Sequence, residues 1–183
     1  MRLHAYLLSL LLLSACNPGH GLPELASAPA GAYVLGPGDV VRLITYGEEQ
    51  LTGEFRVSDS GFIALPLVGQ VHAAGLTPDA LAGAVSRALI KADVLRSPSV
   101  SAEVVAYRPI FVLGEVSKPG QYPYQPGMTV VTAAAVAGGF TYRALQDYAS
   151  VIRTQDGVSV EGKASRQAFI QPGDVITVFE RRF

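Results

Sequence analysis

Alternation of apolar and polar residues marks most of the chain, and helical spacing marks two short stretches. Val41, Leu43 and Thr45 alternate with Val40, Arg42 and Ile44, which predicts a strand over 40–46 whose two faces are both covered. Residues 54–57 and 62–65 flank Ser58-Asp59-Ser60-Gly61 and predict a hairpin. Leu81, Ala84, Val85, Ala88 and Leu89 then fall on one helical stripe. Thr77 stands at the N-cap, Pro78 at the first helical position and Asp79 in the positive first turn. Ser97-Pro98 closes that segment, and 100–107 returns to alternation with Val100, Ala102, Val104 and Ala106 on one side.

The second half begins with Phe111, Leu113 and Glu115 on one face of a strand and Val112, Gly114 and Val116 on the other. Pro119-Gly120 predicts a type II turn with Gly120 at positive φ, and 121–124 returns as an edge strand or bulge containing Pro123. Pro126-Gly127 turns the chain into Thr129, the N-cap of an Ala/Val helix over 130–137, and Gly138-Gly139 stops it. Residues 149–153 and 158–160 read as paired strands around a turn at 155–157. Finally, Pro172-Gly173-Asp174 before the strand at 175–179 repeats a device already seen in Gly36-Pro37-Gly38-Asp39. In the first, Asp39 sits where its carboxylate can accept turn amides, a catalytic or metal carboxylate being the alternative, and the second reads as reuse of the same turn. The sum is an α+β fold: a lobe of short strands with one amphipathic helix, then a β-grasp-like lobe.

The first residues behave differently. Met1-Arg2 precedes an apolar run at 5–13 that is too short to span a bilayer as a helix. Leu13-Ser14-Ala15-Cys16 follows, the pattern of a bacterial lipoprotein signal cut before a cysteine that is then acylated. The expectation is a signal peptide at 1–15, lipidation at Cys16 and a Pro/Gly/Ala-rich tether at 16–32. Asn17 in place of Asp matches release to the outer membrane.

Composition removes whole classes of function. The chain of 183 residues carries 14 basic and 15 acidic side chains with no basic stripe, so no nucleic-acid partner is expected. Its single cysteine excludes a disulfide framework. His4, His20 and His72 form no metal-ligand spacing, and there is no phosphate loop or nucleophile elbow, so neither metal nor cofactor is expected. Asp59, Asp147, Asp156 and Glu161 are the acids that could form a glycosidase pair, but all read as turn residues. His72 reads as a surface residue at a strand end. The chain is not expected to be an enzyme.

Two ordered sets of motifs carry a resemblance. The first is Gly36-Pro37-Gly38-Asp39, Leu65-Pro66-Leu67-Val68-Gly69, Gly75-Leu76-Thr77-Pro78 and Ser97-Pro98-Ser99-Val100. It resembles the polysaccharide biosynthesis/export domain, over 33–107. The second is Gly114-Glu115-Val116, Pro119-Gly120, Pro126-Gly127-Met128-Thr129-Val130, Ala133 to Ala137 with Gly138-Gly139, Ala144 and Val151-Ile152-Arg153. It resembles the soluble-ligand-binding β-grasp module, over 108–183. In this order the pair resembles the outer-membrane polysaccharide exporter family. The resemblance implies a ring of copies of the chain, most simply eight, lipid-anchored at the outer membrane and facing the periplasm. It also implies a polysaccharide in transit and an inner-membrane polysaccharide co-polymerase as partners. The residues after Val175 offer no amphipathic helix of the kind the family uses for its pore, so a separate outer-membrane β-barrel protein is expected to complete the path. A monomeric ligand-binding or scaffolding periplasmic lipoprotein is the alternative.

Overall fold

The structure is a computed structural model and describes residues 18–26, 33–155 and 157–181. The expected lipidation site, Cys16, lies outside them. The first lobe contains β1 (Val40–Thr45), a 3-10 turn at Glu49–Leu51, β2 (Gly53–Arg56), β3 (Phe62–Leu65), β4 (Gly69–His72), α1 (Pro78–Lys91) and β5 (Val100–Ala106). The second contains β6 (Ile110–Gly114), β7 (Gly120–Tyr122), α2 (Val130–Val136), β8 (Tyr148–Gln155), β9 (Val158–Ser165) and β10 (Val175–Val178). Among the described residues no helix is long and apolar enough to cross a membrane.

In the first lobe β2, β1 and β5 form an antiparallel sheet in that order, with the β3–β4 hairpin as a separate pair. Helix α1 starts as its sequence dictates. The Thr77 hydroxyl accepts the Ala80 amide, Pro78 opens the helix, and Leu81, Val85 and Leu89 are fully buried. They meet Val41 and Leu43 of β1, Ile63 and Leu65 of β3, and Val71 of β4 in one core.

The second lobe is a five-stranded sheet in the order β7-β6-β10-β8-β9. Strands β6 and β10 run parallel at its centre, and every other pair is antiparallel. Helix α2 packs on one face through Val130, Ala133 and Ala134, with Ala137 just beyond it. Thr129 and Thr132 make a reciprocal capping box at its start. Its small side chains let the helix axis sit close to Ile110, Val112, Val151 and Ile176 on the sheet. The α+β architecture expected from periodicity is therefore what forms.

Five expectations change. Strand β1 is covered on one face only: Val41, Leu43 and Thr45 are buried, while Arg42 and Ile44 face out. Among the described residues no second layer stands over that face. Instead Arg42 donates to Glu54 of β2 and Glu103 of β5. Residues 54–57 and 62–65 do not pair as a hairpin, because β2 spends its edge on β1, with Val57 donating to the Asp39 carbonyl. Gly61, at φ +85, sends β3 away to pair with β4. Ala106 leaves the side shared by Val100, Ala102 and Val104, since a bulge at Val40/Val41 shifts the β5 register. Pro119-Gly120 makes no type II turn. Gly120 opens strand β7 outside the positive-φ region, and the reversal begins at Gly114, φ +79, where Val116 donates to the Gly114 carbonyl. Lastly, Glu161 lies within β9, which runs longer than the 158–160 expected, and not in a turn.

The β3–β4 turn holds an anomaly. Leu67 adopts φ +66 with its side chain 69% exposed. A left-handed conformation costs a side-chain-bearing residue roughly 1–2 kcal/mol, and an exposed leucine recovers little of it. Leu67→Gly is therefore expected to raise first-lobe stability by up to about 1 kcal/mol, after the flexibility glycine adds to the unfolded chain. A urea midpoint unchanged or lowered would show that Leu67 is held by contacts its exposure conceals.

Candidate functional site

A buried polar cluster lies where the lobes join. Asp39 is completely buried. Its Oδ2 accepts the Tyr33 hydroxyl at 2.6 Å and the Gly36 amide at 2.8 Å. Its Oδ1 accepts the Arg108 amide at 2.8 Å and lies 3.5 Å from the Arg108 Nε. Arg108 Nη2 donates back to the Tyr33 oxygen at 3.2 Å. Burial, followed by the hydrogen bond to Asp39, holds the Tyr33 phenol protonated well above its ordinary range. A Cβ at Gly36 would overlap the Arg108 guanidinium, so a larger residue there would push that side chain aside. Tyr107 sets its ring edge-on to Tyr33 at 4.9 Å and to Tyr124 of the second lobe at 5.5 Å.

The second Pro-Gly-Asp segment builds the same object with a different arginine. Asp174 Oδ1 accepts Arg153 Nε at 3.0 Å, and Oδ2 accepts Arg153 Nη2 and the Gln171 amide, each at 2.7 Å. Both side chains are almost entirely buried. The two turns match in detail. Gly38 and Gly173 take φ +94 and +88, and Asp39 and Asp174 each donate their own amide to the carbonyl three residues back. Pro37 and Pro172 occupy the same place in each.

Each of these buried carboxylates accepts three hydrogen bonds from its own turn and its arginine or tyrosine partners, with Arg108 Nε a further 3.5 Å from Asp39, and among the described residues no metal-holding cluster exists. Asp59 and Asp147 are exposed in loops, Glu161 accepts from Ser150, and Asp156 lies outside the described residues. His72 ends β4, exposed and edge-on to Phe62. Of the other singled-out turn residues, Gly127 follows Pro126 at φ +84, and Gly138 and Gly139 leave α2 at φ +84 and +87. Gly139 donates to the Ala134 carbonyl and Gly138 to that of Ala135. None of them approaches the Asp39 cluster or Asp174 as a partner; they shape the chain. Arg108 escaped the motif reading, and Arg153 entered it only as the end of Val151-Ile152-Arg153, with no partner assigned. Arg153 carried a usable signal, since it shares strand parity with Ala149 and Val151, and a cation on a buried face demands a carboxylate. Arg108 follows β5 outside any pattern and carried none.

Two surfaces stand free of these clasps. Between α1 and β5 runs a groove of about 440 Å³ lined by Asp79, Gly83, Ser86, Ser99, Ser101 and Ala102. Its wall is hydroxyl-rich and holds no aromatic ring, so it offers polar contact without a stacking platform. On the sheet face opposite α2, Phe111 and Leu113 of β6 are exposed beside Val175 and Thr177 of β10.

Comparison with known proteins follows the same division. Residues 27–105 match the model of the polysaccharide biosynthesis/export protein family, and residues 109–163 match that of the SLBB domain. The chain is 40% identical over 90 residues to the exopolysaccharide production protein ExoF of Rhizobium meliloti, a match covering 49% of this chain and 21% of that one. It is 34% identical over 120 residues to the EPS I polysaccharide export outer membrane protein EpsA of Ralstonia nicotianae, covering 64% of this chain and 30% of that one. The EpsA of Ralstonia solanacearum is 30% identical over 138 residues, with 36% of its length covered. The chain thus spans about a fifth to a third of the curated relatives it matches. Neither family description and none of these names is that of an enzyme. The chain carries a segment that matches the polysaccharide biosynthesis/export protein family, followed by one that matches the SLBB domain.

Proposed function

We propose that the chain is a lipid-anchored subunit of an envelope polysaccharide export conduit at the outer membrane, facing the periplasm. Its signal peptide occupies 1–15, Cys16 carries the lipid, and the functional domains run over 33–107 and 108–183. The observation that carries this reading is the ordered pair of domains, together with similarity to relatives named for polysaccharide export. The two buried carboxylates, each bound to its own turn and an arginine, fit it, because a conduit transforms nothing and needs no acid or base. A polar, ring-free groove fits it as well: weak contacts let a capsule or exopolysaccharide chain slide, where strong stacking would stall it.

The subunits close into a cyclic homo-oligomer, most simply an octamer, because head-to-tail contacts end only when a ring closes. Its other partners are the polysaccharide, an inner-membrane co-polymerase and a separate outer-membrane β-barrel protein. Multi-angle light scattering of the acylated protein in detergent, over a wide concentration range, tests this. A discrete closed oligomer is expected. Monomer at every concentration would remove the conduit and leave the ligand-binding or scaffolding lipoprotein.

A further inference from the structure

Residues 18–26 of the stretch expected to be a tether are fixed to the second lobe. The Tyr148 hydroxyl donates to the Pro18 carbonyl at 2.9 Å, and Gly19, at φ +76, lies so close to the Phe179 ring that a Cβ would stand 2.7 Å from it. Farther along, the Lys163 amide donates to the Pro23 carbonyl at 2.7 Å, and the Leu25 amide donates to the Lys163 carbonyl at 2.8 Å. Gly162 gives Leu25 its room, Lys163 Nζ pairs with Glu24 at 2.8 Å, and Arg153 Nη1 donates to the Ala26 carbonyl. The strap therefore wraps the β9 edge of the sheet, with its first residue held against Tyr148 and Phe179.

Cys16 is only two residues before Pro18. Two extended residues reach at most about 7 Å, so acyl chains on Cys16 would hold the bilayer surface close to this corner. The corner is suited to receive it. Residues 142–145 run beside 179–181: Leu145 donates to the Phe179 carbonyl, Arg181 donates to the Arg143 carbonyl, and Ala144 bridges Glu180. Tyr142 stands out of this ribbon, 86% exposed. Arg143 is half exposed and paired with Glu180, and Arg181 adds a further cation that donates to the Tyr142 carbonyl. A tyrosine ring settles at headgroup level, and guanidinium groups bind phosphate oxygens.

We infer that the corner formed by Tyr142, Arg143 and Arg181 is a membrane-docking surface that seats on phospholipid headgroups when Cys16 is acylated. The inference rests on the lipidation proposed above and deepens it: the anchor is short, so it sets orientation as well as attachment. The second lobe lies on the bilayer and the first is held away from it. The area involved is small, so acylation supplies the affinity and the corner supplies the direction.

The chain contains no tryptophan, so one introduced indole reports alone. Tyr142→Trp is compared with Tyr46→Trp, an equally exposed position at the end of β1 in the first lobe. Each acylated variant is reconstituted into phosphatidylethanolamine–phosphatidylglycerol vesicles containing brominated phospholipid. The expected result is quenching of Tyr142→Trp several-fold greater than that of Tyr46→Trp, with a blue-shifted emission that is lost in the Cys16→Ser background. Equal quenching at both sites, or none at Tyr142→Trp, in protein that floats with the vesicles would overturn the docking surface and leave lipidation standing. An intact mass without acyl groups, together with failure to float, would sink the lipidation reading and the docking with it.

Discussion

Asp174→Ala should be the most damaging single change in the second lobe. It strips Arg153, whose side chain is 6% exposed, of both its carboxylate contacts and leaves the Gln171 amide unpaired. Leaving one member of a buried ion pair uncompensated typically costs about 3–5 kcal/mol. For a lobe of this size each kcal/mol moves the melting temperature by roughly 4–8 °C, so a fall on the order of 15 °C or more is expected by calorimetry. Asp174→Ala combined with Arg153→Met should recover much of the loss, because the double variant buries no stranded charge. A double variant as unstable as Asp174→Ala would show that the turn amide, and not the guanidinium, is what the carboxylate serves.

The second large effect is expected at Gly114. Its φ of +79 already excludes ordinary side chains, and a Cβ would overlap the Val178 carbonyl oxygen. That oxygen accepts the Glu115 amide at 3.0 Å, within the parallel β6–β10 pairing. Since backbone cannot move aside as a side chain can, Gly114→Ala should cost at least about 3 kcal/mol. Gly139→Ala makes the matched control. Its φ is +87 but nothing lies within 4 Å of its Cβ position, so only the conformational cost of about 1 kcal/mol applies. Gly138 falls between them, with Ser117 Cβ 3.0 Å away. Equal destabilisation at 114 and 139 in guanidinium titrations would show that β10 yields to the new methyl group.

The contrast between these glycines marks what a sequence can carry. Thr77 and Thr129 announce α1 and α2 because capping is settled within three residues. Pro-Gly-Asp announces its turn for the same reason. Strand alternation locates β1, β5 and β6, yet it says nothing of partners: that β2 turns to β1 and β10 slots between β6 and β8 depends on residues far apart in the chain. The unique role of Gly114 depends on Val178, which no local pattern names. Nor does composition reveal the strap. Pro, Gly and Ala looked like linker because the bonds that order 18–26 go to Tyr148, Arg153 and Lys163.

The strap also ties the order of synthesis to the geometry of the finished molecule. Its residues leave the ribosome before any strand of either lobe, but their docking sites on β8 and β9 are among the last pieces made. The first lobe, with all its strands and α1 between positions 40 and 106, can close in the meantime, since domains fold as units and N-terminal ones first. Until β10 arrives to fill the gap between β6 and β8, the second sheet has no centre, and the strap has nowhere to lie. During that interval the N-terminal segment is a long leash. Completion of the last strand and seating of the strap remove that slack, so, with the lipidation proposed above, orientation against a membrane would be a late event, reserved for chains that have finished folding.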